Sequence, residues 1–456
     1  MDQLTGDRID TALERRKTKP WGRVLLHAAL LCVMIVSCGK APEQSSLPGP
    51  GALTRWTLLT DYYGEDQSNW RTLAIIHMAM HDALNAARPT YVRWFPPAAG
   101  EPSAAGADPE VAMAAAAAEV LTRLHPTRAD VTERTFRAAL DRAPNGPGTD
   151  AAIRLGRAIG AEAVRRREKD GWAATRLFKG GTGPGVWRPV PPTFANSGVS
   201  GIRPFLFNAV TDLPGVPPPS ITSPKFLADV AESRRVGGAL KADRSVAQTN
   251  SAIFWARQSP QRGFGRVALT MLPADIFASA RIISQLAAAF ADSAIIIWSA
   301  KERYSFWRPI TVIQDPAQAG DKTWIPLLYT PPFPEYPSGH SADCFVGADF
   351  LQRTFREASG SVRYISLASQ GNLRRPGGTT FGVGQHADTG AGGAFDNIER
   401  IFPSLAAAAE DCAESRIWAG AHFRSANEES RRVAGLNVAR ALAAVPPLEQ
   451  PAAKDR

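Results

Sequence analysis

Cysteine is scarce in this chain, with four among 456 residues, and two of these, Cys32 and Cys38, lie in the first forty positions. No cysteine spacing of the metal-binding kind exists, which excludes a zinc-finger or cluster-binding module. Cys344 and Cys412 remain, either as one disulfide or as two buried thiols. Dense basic runs are also missing. The formal charge is +9, but residues 1–37 hold six Lys/Arg against four Asp/Glu and the remainder is spread thinly. That distribution lacks the clustered patch a nucleic acid needs and leaves weak support for a small anionic ligand. Beyond residue 40 no eighteen apolar residues run uninterrupted; even 278–300 is broken by Arg281, Gln285 and Asp292, so the body is expected to be soluble. Strand signals are few as well, and the fold class read from the pattern is mainly α.

The N-terminus does carry a short apolar run. Arg15, Arg16, Lys17, Lys19 and Arg23 precede residues 24–36, a stretch too short to span a bilayer comfortably, and Ile35-Val36-Ser37-Cys38 closes it. This reads as an export signal over 1–37. The closing residues resemble a bacterial lipobox in which Cys38 becomes a lipidated N-terminus; a simple cleaved signal, an uncleaved anchor or a poor twin-arginine signal are the alternatives. The expected location is exported: anchored by lipid in the cell envelope, or periplasmic or extracellular. Residues 38–55, rich in Pro, Gly and Ser, are expected to form a flexible tether.

From there the apolar period is helical over 70–87, 110–124, 129–143 and 150–169, and again over 224–236, 244–257 and 273–307. Residues 180–219 interrupt it with many Gly and Pro and predict a long irregular connection. The expected organisation is an N-terminal helical region over 56–272, a C-terminal helical region over 273–445 and a tail over 446–456. A short internal echo accompanies it: Arg71 and Asp82 are spaced as Arg281 and Asp292 are, which fits either duplicated halves or two similar amphipathic helices.

Chemistry concentrates in the last third. Lys301 and Arg308 are seven apart, which puts both on nearly one face of a continuous helix that Pro309 is expected to stop. Tyr336-Pro337-Ser338-Gly339-His340 predicts a turn into a helix over 341–355, with Ser338 as its cap, Gly339 admitting close backbone approach, and free amides that attract negative charge beside His340. Arg416 and His422, six apart, point about 120° from each other on an unbroken helix, and Ala419-Gly420-Ala421 offers the break that brings them together. Each motif alone has a plain structural reading: a solvated basic face, a capped surface histidine, a satisfied core histidine. Three lasting cations, a serine–glycine turn and two histidines together suit a compact oxyanion.

Their order and spacing, K-x6-R-P, then P-S-G-H, then S-R-x5-H, resemble the signature shared by vanadium-dependent haloperoxidases and the type 2 phosphatidic acid phosphatase (PAP2) superfamily, over 273–441 strongly and more loosely from Trp70 through Asp82. The resemblance implies a helical bundle with long Pro/Gly-rich connections. It implies that Lys301, Arg308, Ser338, Gly339 and Arg416 hold the oxygens of vanadate, that His340 handles the proton, and that His422 is the single metal ligand. Lys301 would polarise hydrogen peroxide toward a halide, the two small-molecule substrates, and Trp298 and Phe333 match aromatic positions lining the halide side of the pocket. No nucleic acid is implied, and a membrane only through the lipid anchor.

In the alternative reading the same site holds phosphate and works as a PAP2-type acid phosphatase through a phosphohistidine at His422; in a second alternative the chain is a non-catalytic oxyanion-binding envelope lipoprotein. One departure weighs against the phosphatase. Its pattern continues H-x3-D, and that position here is Ala426, leaving Glu428 or a backbone carbonyl to support the histidine. His77 and His81 read as helix–helix packing residues with a hydrogen bond, since no third ligand at matching spacing follows them, and His125 reads as an ordinary structural residue. His386 falls in a Gly-rich stretch that either overhangs the pocket or connects two helices.

Overall fold

The computed structural model describes residues 51–63, 69–143, 146–172, 178–189, 198–213, 215–256, 259–355, 362–365 and 399–448. The stretch expected to be an export signal, Cys38, His386 and the C-terminal tail beyond residue 448 lie outside the described residues. Thirteen α-helices and one two-stranded antiparallel sheet occur among them, so the mainly α expectation holds. In order the helices are α1 (Gly51–Tyr63), α2 (Asn69–Ala87), α3 (Pro109–Leu124), α4 (Ala129–Leu140), α5 (Pro147–Arg167), α6 (Pro224–Val236), α7 (Val246–Ala256), α8 (Pro260–Met271), α9 (Ile276–Tyr304), α10 (Pro309–Gln314), α11 (Gly339–Thr354), α12 (Leu405–Trp418) and α13 (Arg424–Ala443). Strands β1 (Val362–Ile365) and β2 (Glu399–Phe402) pair with Val362 opposite Phe402.

Two expectations need correction. The proposed tether over 38–55 ends early, because residues 51–55 already belong to α1, where Leu53 and Thr54 are buried. Helix α8 was not expected from the pattern, since Gly263 and Gly265 lower its intrinsic propensity. Burial of Phe264, Ala268 and Leu269 outweighs that cost, with Pro260 in the first turn where it is tolerated. Of the predicted irregular connection over 180–219, the described residues carry only two short 3-10 turns, at Gly198–Gly201 and Val210–Asp212.

In the N-terminal group, α3 packs against α5 and α2. Small residues set the distance: a methyl added at Gly156 or Gly160 of α5 would come within 2.2 Å and 2.6 Å of the Ala112 and Ala116 carbonyl oxygens of α3. The C-terminal group is built from α9, α11, α12 and α13, with α7 and α8 against its flanks. Helix α9 joins the two groups, packing on α2 as well as on α11 and α13, and the described residues form one compact unit. The expected boundary at 272/273 therefore falls between α8 and α9 inside a continuous core. Although α9 is long and apolar enough to cross a bilayer, 94% of its most apolar window is buried in this core.

The Arg/Asp echo has a partial structural counterpart. Asp82 on α2 accepts the amides of Trp94 and Phe95 at 2.7 and 2.9 Å, and Asp292 on α9 accepts those of Phe205 and Leu206 at 2.6 and 2.8 Å. Each carboxylate thus pins a loop by two successive N–H groups. The arginines diverge: Arg71 pairs with Asp170, whereas Arg281 donates to the Val445 carbonyl.

Cys344 and Cys412 are bonded as a disulfide with Cα atoms 6.5 Å apart, tying α11 to α12. Cys344 follows His340 by four residues and Cys412 precedes Arg416 by four, so the bridge sits one turn from each of two predicted site residues. A cross-link across 68 residues limits the unfolded chain, and its removal in a Cys344→Ser/Cys412→Ser double variant is expected to cost about 2–4 kcal/mol. Denaturant midpoints of both proteins, with and without reductant, check this; a wild-type midpoint insensitive to reductant and equal to that of the variant would contradict it.

Candidate functional site

The pocket begins where α9 ends. Lys301 lies in its last turn and Ser305, in the left-handed region at φ 40°, caps it. The chain then extends, and Arg308 is the N-cap of α10 with Pro309 as the first helical residue. The expectation of one helix carrying both cations is therefore wrong. Pro309 starts a helix, as its fixed φ and missing N–H allow, and Arg308 reaches the site from extended backbone. Both side chains converge all the same, each fully buried.

A proline-rich loop before α11 receives them. The Lys301 ammonium donates to the carbonyls of Pro334 (3.0 Å), Glu335 (2.8 Å) and Pro337, which uses all three of its hydrogens. Arg308 Nε donates to the Phe333 carbonyl at 2.9 Å, and Nη1 donates to the Ala421 carbonyl at 2.7 Å and to His422 Nε2 at 3.1 Å. Arg308 Nη2 is buried and has no partner.

Helix α11 follows with Ser338 as its N-cap. Ser341 Oγ donates to Asn427 Oδ1, so the 2.8 Å contact between the two serines is a donation from Ser338 to Ser341, and Asn427 Nδ2 donates to the Ala413 carbonyl. This chain of polar groups locks α11 to α12 and α13. Gly339 gives room to an aromatic side chain, since a methyl there would meet the Trp298 ring at 3.2 Å. His340 is half-buried in the first turn of α11.

Arg416 is in the last turn of α12, and both its Nε and Nη1 are buried without partners. The predicted break is present. Helix α12 stops at Trp418 and Gly420 takes φ 70°, where a methyl would lie 2.5 Å from the Gly237 carbonyl oxygen. His422 then enters the pocket just before α13, with Nδ1 2.9 Å from Glu335 Oε1.

Glu335 was not among the predicted residues. It is fully buried, and its Oε1 also accepts the Phe423 amide at 3.0 Å. The support expected from Glu428 is absent, because that side chain is exposed and paired with Lys225. The available signal in the sequence was a lone acid enclosed by prolines and aromatics in Pro331-Pro332-Phe333-Pro334-Glu335-Tyr336-Pro337, a setting with no reason to hold a solvated charge.

Burial is the largest electrostatic influence throughout. It holds His422 far below the ordinary histidine range, and Arg308, Lys301, Arg416 and His340 push the same way. Lys301 is pushed well down by burial and then by Arg308 and Arg416; Arg308 falls to about 9 and Arg416 to about 10, with burial first in both. Burial lifts Glu335 to about 7 against the opposite pull of Arg308, the Phe423 amide and Lys301. With Glu335 ionised, three cations face one carboxylate. Such an excess of buried positive charge is costly unless an anion joins it.

The aromatic wall is contiguous with this cluster. Trp298 and Phe333 have ring centroids 5.4 Å apart, and Lys301 Nζ lies 5.2 Å from the Phe333 ring centre. Trp298 Nε1 is buried without an acceptor. All nine predicted residues thus belong to one neighbourhood. Elsewhere His77 is buried and depressed to about 3 by burial, with Nδ1 unpartnered, so the packing role holds without a hydrogen bond at that atom. His81 Nδ1 contacts Asp82 at 3.1 Å, and no cluster of three potential metal ligands occurs among the described residues.

The donor set fits an oxyanion of vanadate or phosphate size: unpaired guanidinium N–H groups, surplus positive charge, and a histidine nitrogen facing them. Arg416→Met is accordingly expected to leave the anion-free protein as stable as wild type or more so, since it deletes an unpaired buried charge. It is also expected to abolish the stabilisation that wild type gains from orthovanadate or orthophosphate, about 2.7 kcal/mol at a hundred times Kd. Thermal melts with and without either anion read this, and a variant retaining the anion-dependent rise would remove Arg416 from the site.

Comparison with known proteins finds similarity over the same part of the chain. Residues 281–445 match the family model described as the VCPO second helical-bundle domain. Vanadium chloroperoxidase of Curvularia inaequalis is 30% identical over 137 residues, covering 24% of this chain and 22% of its own, so the chain spans less than a quarter of that curated relative. Among solved structures, a bacterial vanadium-dependent iodoperoxidase superimposes with a TM-score of 0.66 at 22% identity, covering 88% of this chain and 96% of its own. A holo-type bacterial vanadium-dependent chloroperoxidase gives a TM-score of 0.61 at 15% identity over 88% of this chain and 93% of its own. At those identities the structural likeness shows the fold.

Proposed function

We propose that this chain, which belongs to the haloperoxidase-like family whose second helical bundle it carries, is an enzyme that binds vanadate and oxidises halide with hydrogen peroxide. The observation that carries this reading is the set of buried guanidinium N–H groups without partners, Arg308 Nη2 and Arg416 Nε and Nη1, gathered around His422. Vanadate, when bound, supplies Lewis-acid activation of peroxide with no change in its own oxidation state. The protein's share is binding and preorganised charge. Arg308 and Arg416 hold the oxyanion by their free donors, and His422 serves as the one ligand to the metal.

Lys301 takes a different weight than its position in the motif suggests. With its three hydrogens on carbonyls it contributes charge and shapes the loop, and donation to a bound oxygen requires release of one of those carbonyls. Ser338 and Gly339 present the start of α11, and His340 in its first turn is the acid–base residue. Trp298 and Phe333 form the halide side: the unpartnered Trp298 N–H is a donor for a small anion, and the apolar wall keeps water away from it.

A phosphatase reading gains from one observation that the sequence did not offer. Glu335 supplies His422 with the carboxylate missing at Ala426, so the histidine is not the poorly supported nucleophile expected from H-x3-A. The Cys344–Cys412 disulfide supports an oxidising, exported location, in keeping with the N-terminal signal.

Bromination of a phenolic dye after vanadate loading, set beside hydrolysis of an aryl phosphate, tests the proposal. Halogenation that requires vanadate and peroxide and falls to background in His422→Ala is the expected result. Trp298→Phe is expected to raise the KM for halide about tenfold, equivalent to one lost hydrogen bond of about 1.4 kcal/mol, with little change in vanadate affinity. Vanadate-inhibited hydrolysis without halogenation would transfer the assignment to the phosphatase, and binding without either activity would leave an oxyanion-binding protein.

A further inference from the structure

We infer that Glu335 is the positioning carboxylate of this site, fixing the tautomer and orientation of His422 from a segment 87 residues earlier in the chain. The inference rests on reading His422 as the residue that meets the anion. Its geometric basis is two-sided. On one side of the ring, Arg308 Nη1 stands 3.1 Å from Nε2, and a guanidinium can only donate; on the other, Glu335 Oε1 stands 2.9 Å from Nδ1. Nε2 must therefore accept and Nδ1 must carry the hydrogen. The bare nitrogen is then the one turned toward the cation cluster, where a ligand or nucleophile is needed.

Glu335 is itself held from three directions. Its carbonyl oxygen accepts from Lys301 at 2.8 Å, its Oε1 accepts the Phe423 amide at 3.0 Å beside the His422 contact, and Tyr336 next to it donates its hydroxyl to the Val216 carbonyl at 2.9 Å. Lys301 thus acts on His422 through the loop: it gathers the carbonyls of Pro334, Glu335 and Pro337, and the gathered loop presents the carboxylate. A carboxylate on the far nitrogen of a ligating imidazole raises its basicity and fixes its ring, and losing such a partner typically costs about 10–100-fold in metal affinity. This arrangement removes any need for an acid at 426, and Ala426 packs instead in an apolar cluster with Phe423, Tyr336, Trp307 and Phe226.

Two-bond proton–nitrogen correlation spectra of the full chain labelled with nitrogen-15 histidine test the tautomer directly, with the His422 signals assigned by their loss in His422→Ala. In the anion-free wild type Nδ1 is expected to be protonated and Nε2 bare; an Nε2-protonated ring overturns the inference whether or not any variant folds. Glu335→Gln keeps the shape and removes the charge. Arg308 still donates to Nε2, so the tautomer is expected to persist, while orthovanadate binding in equilibrium dialysis weakens about 10–100-fold without the carboxylate charge. A folded Glu335→Gln protein with wild-type vanadate affinity also overturns it. Should wild type bind no vanadate, the proposed function fails, while the ring signals still decide the role of Glu335.

Discussion

A surplus of buried positive charge organises this molecule. Lys301, Arg308 and Arg416 are each almost wholly withdrawn from water, and among the described residues Glu335 is the one carboxylate hydrogen-bonded within their cluster. Burial of this kind needs either strict pairing or a ligand, because the desolvation cost of each ion is several kcal/mol. The fold meets part of that need with backbone oxygens: three carbonyls on Lys301 and two on Arg308. The remainder is left to Arg308 Nη2 and Arg416 Nε and Nη1, which stay unpaired. A cluster that leaves these guanidinium donors unmet is selective for what can accept from them, namely an anion with several oxygens.

The surrounding helices are arranged so that this surplus cannot relax. Cations that repel one another will spread if their supports allow it, so each support is cross-tied. Ser341 and Asn427 connect α11 with α12 and α13, the Cys344–Cys412 bridge joins α11 to α12 one turn from His340 and Arg416, and Gly420 lets the chain turn tightly against Gly237. Arg424 at the start of α13 forks between Glu232 and Glu414, which anchors that end to α6 and α12. The N-terminal helices contribute mainly through α9, whose buried length carries both Trp298 and Lys301 to the pocket from the shared core.

How much of this was legible in the sequence follows from the range of the interactions. Helices α2 to α7 and α9 announce themselves by local periodicity, and the three motifs announce residue type and order, which suffices to gather nine site residues. Local rules failed where the decisive contact was distant. Seven-residue spacing suggested one helix for Lys301 and Arg308, but Ser305 turns the chain out of the helix and Pro309 begins another, so both reach the pocket for reasons unrelated to helical phase. Glu335 was invisible because its partner, His422, lies 87 residues away, whereas the H-x3-D spacing is a local rule. Gly263 and Gly265 hid α8 because its stability comes from packing of Phe264 and Leu269, which a propensity reading does not contain.

Moving the carboxylate from α13 to the loop before α11 changes more than its address. An aspartate at 426 would place a charge in the apolar cluster that includes Phe226, Trp307, Tyr336 and Phe423. It would also set a second negative charge against three cations and reduce the surplus that draws the anion. With Glu335 alone, one acid serves both purposes: its side chain orients His422 while its carbonyl engages Lys301. Orientation of the histidine and the shape of the cation cluster are then parts of one loop, and any change that loosens residues 334–337 must disturb both together. That coupling gives a role to the six residues other than Glu335 from Pro331 to Pro337, four prolines and two aromatics: a stiff loop keeps a buried acid and a buried ammonium in register.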